Sequence, residues 1–305
     1  MSASVPEVAA ATTAALEVRD LHTYFFTAAG VIRALNGVSL RLDPGRMLGL
    51  VGESGAGKTT LAHSIMRVVP PPGRVVRGET RLYGRDLQLL RESELRQVRG
   101  KEIAMIVPNP RAELNPLLTI GAQLANVARA HLGLDKRAAR ERAVEILSHV
   151  KIPDPKRRAN AYPHELSGGM AQRVVIAMAM VGEPKVTISD DATSGLDVTV
   201  QAQVLDLTLS LLRERGSASL MITRDLGIVA NYCDHVAVLY RGCLLEAADV
   251  RSFFANPRHP YSIELLSAFS YERPSGAAMI PTIPYDADGL EVREVAPGHL
   301  VRDVG

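Results

Sequence analysis

Eight consecutive residues, Gly52-Glu53-Ser54-Gly55-Ala56-Gly57-Lys58-Thr59, carry the densest chemistry in the chain. Gly55 and Gly57 let the backbone turn successive N–H groups toward one anion. Lys58 then sets a cation on the β- and γ-phosphates of a nucleotide, and Thr59 offers a hydroxyl to Mg²⁺. Gly52, Ser54 and Thr60 complete the expected ATP contacts. Such a loop needs a strand before it and a helix after it. The apolar, β-branched run Met47–Val51 and the helical pattern over 58–69, closed by Pro70-Pro71-Pro72-Gly73, supply both.

Two further segments bear on phosphate chemistry. Val186-Thr187-Ile188-Ser189-Asp190 is a short apolar strand ending in a carboxylate, the pattern that holds Mg²⁺ through water. With Thr59, Asp190 forms the expected metal pair. Leu166-Ser167-Gly168-Gly169-Met170 opens a helix: Ser167 suits a cap, the glycines permit close approach, and the free N–H groups face an anion.

Short buried-strand candidates at 103–107, 186–189, 219–223 and 235–239 alternate with helical stretches at 119–132, 136–150, Gly168–Met180 and 200–213. This α/β alternation predicts a mainly parallel sheet covered on both faces. The insert 117–162 is helical only and predicts a separate α-helical subdomain, extending to about 180. Residues 1–15 read as a loose tail, 16–268 as one nucleotide-binding domain, and 269–305 as an irregular C-terminal appendage. A 47% hydrophobic chain with formal net charge +2 has ample core and no electrostatic reason to bind nucleic acid. Cys233 and Cys243 fit no ligand spacing and read as core thiols. No apolar run is long enough to span a bilayer.

Together these segments resemble the ATP-binding subunits of ABC importers, in the oligopeptide/dipeptide/nickel group. The markers are Val51-Gly52-Glu53-Ser54-Gly55, Leu114-Asn115-Pro116-Leu117-Leu118-Thr119-Ile120-Gly121, Tyr162-Pro163-His164-Glu165 running into the 166–170 segment, and Pro257-Arg258-His259-Pro260-Tyr261. The resemblance implies a P-loop NTPase cassette: a parallel core sheet, an antiparallel β part and a helical subdomain. It implies two such subunits stacked head to tail, with ATP between one glycine loop and the other subunit's 166–170 segment, the family's signature. Asp197 would belong to the D-loop at that junction, and an aromatic, Phe25 or its neighbour Tyr24, would stack on adenine or lie in the core. It further implies that the chain sits peripherally at the cytoplasmic face of the inner membrane, its helical insert docked on two transmembrane permease subunits, with an extracytoplasmic solute-binding protein as an indirect partner. The stretch 117–120 is either the docking surface or core. That group often carries C-terminal cysteines for an iron–sulfur cluster; no Cys follows Cys243 here, so none is expected.

Three positions depart from the family pattern. Pro108 stands where the family has a Gln that touches Mg²⁺ and senses the γ-phosphate. Asp191 replaces the Glu that polarises the attacking water, and is one methylene shorter. Arg224 replaces a His, and a guanidinium offers no acceptor. All three positions act on the γ-phosphate and water. The expectation is therefore a degenerate site that binds ATP without efficient hydrolysis, beside an intact signature that completes the site of a second, catalytically complete ATPase subunit. The alternatives are a homodimeric importer ATPase working with the variant residues, and an ABC protein outside transport.

Overall fold

Strands β-branched or apolar on both faces can exist only between two covering layers, and the chain builds its centre from five of them. The computed structural model describes residues 13–192, 197–270 and 291–303. Its elements begin with β1 (Leu16–Thr27), β2 (Gly30–Leu42), β3 (Met47–Val51) and α1 (Lys58–Met66). Then come β4 (Gly73–Leu82), β5 (Arg85–Asp86), α2 (Glu92–Val98) and β6 (Ile103–Ile106). Helices follow: α3 (Pro110–Glu113), α4 (Ile120–Leu132), α5 (Lys136–His149), α6 (Pro155–Arg158) and α7 (Gly168–Met180). Beyond them lie β7 (Val186–Asp190), α8 (Val198–Glu214), β8 (Ala218–Ile222), α9 (Leu226–Tyr232) and β9 (His235–Tyr240). The last are β10 (Cys243–Asp249), α10 (Val250–Ala255), α11 (Pro260–Ser270), β11 (Val292–Ala296) and β12 (His299–Arg302).

The main sheet has the order β11-β12-β10-β9-β3-β8-β7-β6. The five strands from β9 to β6 are parallel, and every residue of β3, β7 and β8 is buried. Because β3 lies between β8 and β9, three loops converge at the carboxyl ends of the strands, the place where open α/β sheets bind ligands. A second, antiparallel sheet, β2-β1-β4-β5, packs across α1. Leu16, Leu21 and Leu35 from it share a core with Leu61 and Ile65 of α1 and with Ile188 and Leu220 of the main sheet. Each fully buried Leu or Ile contributes about 1.5–3 kcal/mol.

Between β6 and β7 the α-helices α3 to α7 are packed together. Thr119 caps α4 by accepting the Ala122 N–H at 3.3 Å, and Asp135 caps α5 by accepting two N–H groups at 2.8 Å. Ile120, Leu124, Ala139 and Ile146 face a common core with α7.

One expectation needs correction. The chain after 268 is not wholly irregular: α11 runs to Ser270, and β11 and β12 form a hairpin that extends the main sheet through β10. Its strands are short and β11 is largely exposed, so no apolar alternation advertised it. What anchors it is polar. Buried His299 lies 2.7 Å from buried Glu246, and Arg302 donates to the Leu244 carbonyl at 2.9 Å. Residues 1–12, most of the expected D-loop (193–196), and 271–290 and 304–305 lie outside the described residues.

Candidate nucleotide site

The three converging strand ends deliver the chemistry. β3 leads into Gly52, β7 ends at Asp190 and Asp191, and β8 leads to Thr223 and Arg224. Asp190, Asp191, Thr223 and Arg224, with Ser54, Gly55, Gly57, Lys58, Thr59 and Thr60, line a cleft of about 340 Å³. Two glycines are obligatory there. A Cβ on Gly52, at φ +149°, would lie 2.1 Å from the Leu239 carbonyl oxygen, and one on Gly57, at φ +105°, 2.6 Å from that of Ala34. The loop therefore sits directly on its neighbours and presents backbone rather than side chains to the cleft.

Lys58 is folded onto its own loop. Its ammonium donates to the carbonyls of Gly52 at 2.7 Å and Glu53 at 2.8 Å. Burial lowers its pKa, Arg224 adds to the effect, and Asp191, Asp190 and Glu53 oppose it. Asp190 is 2% exposed. Burial raises its pKa, while the Thr59 hydroxyl and His63 pull it down. One oxygen, Oδ2, is buried without a partner. A buried carboxylate oxygen so left costs about 1–3 kcal/mol or more. An orphaned acceptor beside a threonine hydroxyl is the donor set of a hard divalent cation, so Thr59 and Asp190 fit Mg²⁺.

Two of the three substituted positions meet. Arg224 Nη2 lies 3.3 Å from Asp191 Oδ2. The Asp191 backbone is left-handed, φ 45°, and its N–H donates to the Ile222 carbonyl at 2.9 Å. Pro108 follows β6 by two residues but does not line the cleft. Phe25 is not brought to it either. Its ring covers Gly73, where a Cβ would meet it at 2.6 Å, and the Tyr24 phenol lies 3.4 Å from Asn36. Three contributors to the site escaped the sequence reading. Ala34 and Ile222 line it without polar chemistry. His63 acts on Asp190; standing one turn beyond Thr59 on α1, it shares that face, which was a readable signal.

The signature segment lies apart from this cleft, at the start of α7. Leu166 is buried and anchors it. Ser167 accepts the Met170 N–H at 3.3 Å, leaving Gly168 and Gly169 as the first helical residues. Asp197, the one described residue of the expected D-loop, caps α8 by accepting the Val200 N–H at 3.0 Å.

A glycine loop at the end of a central parallel strand, a buried Asp at the end of the next strand but one and a capped glycine-led helix on a helical insert define a P-loop nucleotide-binding cassette. A family model described as ABC transporter matches residues 35–194. The oligopeptide transport ATP-binding protein OppD of Bacillus subtilis (strain 168) is 46% identical over 273 residues, 89% of this chain and 76% of its own. The dipeptide transport ATP-binding protein DppD of Escherichia coli (strain K12) is 38% identical over 302 residues, 93% of this chain and 92% of its own. Among solved structures, the dimeric post-hydrolysis state of the ATP-binding cassette MJ0796, bound to ADP and Pi, aligns with a TM-score of 0.69 at 25% identity, covering 77% of this chain and 99% of its own. The chain belongs to the ABC transporter family. Among the described residues no helix is long and apolar enough to cross a membrane.

Proposed function

We propose that this chain is the ATP-binding subunit of a peptide importer, that its own site binds Mg-ATP but hydrolyses it poorly, and that its signature segment completes the site of a second, catalytically complete ATP-binding subunit. Peptide as the cargo is supported by the relatives, an oligopeptide and a dipeptide transport ATP-binding protein. Two permease subunits and an extracytoplasmic solute-binding protein follow from importer membership, with the chain peripheral at the cytoplasmic face of the membrane. Leu117 and Leu118, 83% and 37% exposed, suit the permease contact; Ile120, 0% exposed, is core. No iron–sulfur cluster is proposed.

The observation that carries the degenerate-site reading is the Asp191–Arg224 pair. Asp191 occupies the general-base position, yet its carboxylate is held by a guanidinium 3.3 Å away. General-base catalysis needs a free carboxylate within hydrogen-bond reach of the attacking water. Pro108 has no side-chain donor or acceptor to replace the missing Gln. Binding is a separate matter. Gly52 to Thr60 present N–H groups and hydroxyls to the phosphates, Lys58 supplies the cation, and Thr59 with Asp190 would hold the metal. Mg²⁺, when bound, neutralises charge on the β- and γ-oxygens.

The test is the purified chain alone. It is expected to bind Mg-ATP by titration and to release little phosphate in a coupled assay. Robust turnover by the lone chain would establish the homodimeric alternative, in which Asp191 still serves as base.

A further inference from the structure

The nucleotide cleft lies at the carboxyl end of β3, and a second cavity opens at the amino ends of β3 and β9. It measures about 190 Å³ and sits between β2, β3, β9, β10 and the C-terminal hairpin. Its wall is aliphatic: Leu40 and Leu42 from β2, Leu48 from β3, Leu244 from β10 and Leu300 from β12. The room comes from alanines. Ala247 of β10 pairs with Ala237 of β9, and Ala248 pairs with Val236. Methyl groups therefore stand where larger side chains would close the gap between the two sheets. A void that leucines line forfeits packing contacts until something fills it.

The mouth is charged. The turn Asp43-Pro44-Gly45-Arg46 sets a carboxylate and a guanidinium side by side, closed by the Arg46 N–H on the Asp43 carbonyl at 3.1 Å. Both line the cavity, as does exposed His235, which stands opposite Leu48 across β3 and β9. Arg46 gives Nη1 to Asp234 at 3.1 Å, and a guanidinium has further N–H donors to offer. Asp43 takes Arg41 Nε on Oδ1 at 2.8 Å, and a carboxylate accepts at about four lone-pair positions. The mouth can therefore hold an anion and a cation on one small molecule, above a wall suited to an apolar side chain.

We propose that this cavity is a binding site for a free α-amino acid with an apolar side chain of leucine size. Volume selects that size. An apolar cavity of about 150 Å³ holds benzene, so one of about 190 Å³ holds a leucyl side chain. Pockets for drug-sized ligands are larger, about 300–1,000 Å³. Charge selects the zwitterion: its carboxylate meets Arg46 and the His235 imidazole, and its ammonium meets Asp43. Peptide uptake followed by peptide-bond hydrolysis yields this class of ligand. That link rests on the proposed peptide cargo, whereas the binding itself does not.

Calorimetric titration of the full chain with L-leucine, glycine and isocaproate tests the site. L-Leucine should bind saturably. Glycine, without the side chain, should bind about 10- to 150-fold more weakly, the worth of burying one leucyl side chain. Isocaproate, without the amine, should bind about 2- to 5-fold more weakly, the worth of an exposed ion pair. Ala247→Leu fills the cavity and should abolish leucine binding, with a cooperative thermal melt to show that the variant folds. Unchanged leucine affinity in a folded Ala247→Leu would overturn the proposal. So would equal affinity for glycine and leucine, or no saturable leucine binding by the wild-type chain below about 10 mM; neither result depends on the variant. Another segment of the chain or a second copy seated in the cavity would exclude leucine and give that last result. Mg-ATP titration of the same samples reports on the nucleotide site alone, so a failure there is distinguishable from a failure here.

Discussion

Replacing Gly168 by Asp sets folding against turnover. Gly168 is the first residue of α7, after the Ser167 cap. A carboxylate in the first turn interacts favourably with the helix N-terminus, by about 0.3–1 kcal/mol, so the fold should not suffer. In the proposed assembly the same N–H groups face a phosphate held by the second subunit. A carboxylate placed roughly 5 Å from one phosphate charge, at an effective dielectric constant of about 20–40, costs about 2–3 kcal/mol. That is roughly a 30- to 150-fold loss of turnover. Asp191→Asn is the counterpart. It breaks an ion pair whose side chains are 63% and 30% exposed, and exposed pairs contribute at most about 1 kcal/mol. Turnover should change less than about 5-fold. A working general base would contribute about 10²–10⁴. The assay is steady-state ATPase activity of the chain reconstituted with its partner subunit and permease, with thermal melts to confirm folding. If Asp191→Asn is as damaging as Gly168→Asp, the degenerate-site reasoning fails.

Two further outcomes are expected. Lys58→Ala should weaken Mg-ATP binding by the isolated chain at least 10-fold, since it removes the cation of the loop, yet only partly reduce turnover of the assembled complex; complete loss of turnover with normal assembly would place catalysis in this chain's own site. Stability should fall on the alkaline side: burial pushes the Cys233 thiol up to about 12, above an unfolded value of about 8.5, so its contribution is full below that pH and is lost progressively as pH rises toward 12. Melting temperatures between pH 7 and 10.5 should show the decline, and Cys233→Ala should flatten it; an equal slope in the variant would exclude the thiol as its source.

The elements that position the site were legible because each carries its own local signal. Met47–Val51 and Lys58 onward announce a strand, a glycine turn and a helix within a few residues, and β7 is a short run opened by the β-branched Val186, Thr187 and Ile188 and ending in Asp190. The helix at 58–69 stops earlier, at Met66, where Arg67 turns left-handed and its N–H returns to the His63 and Ser64 carbonyls. That stop is a backbone event with no glycine to mark it. The hairpin at 292–302 was not legible, because it is held by a few long-range polar contacts rather than by a periodic apolar face. Phe25 shows the limit in the site itself. Sequence spacing placed an aromatic in the neighbourhood, but which face of β1 it occupies depends on the register shifts against β2 and β4 around Thr23.

Those shifts matter less to mechanism than the pairing of Asp191 with Arg224. Read singly, each substitution is a lost function: a shorter base, a guanidinium in place of an imidazole. In three dimensions they compensate each other's charge, and the pair is cheap to open because both side chains reach solvent. A guanidinium carries five N–H donors, and only Nη2 is spent on Asp191, so a nucleotide's terminal phosphate can engage the others. On the proposed reading, ATP would gain Arg224 as a second cation beside Lys58 while Asp191 stays paired. The site would retain nucleotide while lacking a placed base and a Gln to sense the γ-phosphate. Retention without cleavage suits a subunit whose bound ATP keeps its signature segment presented to a neighbour that does the hydrolysis.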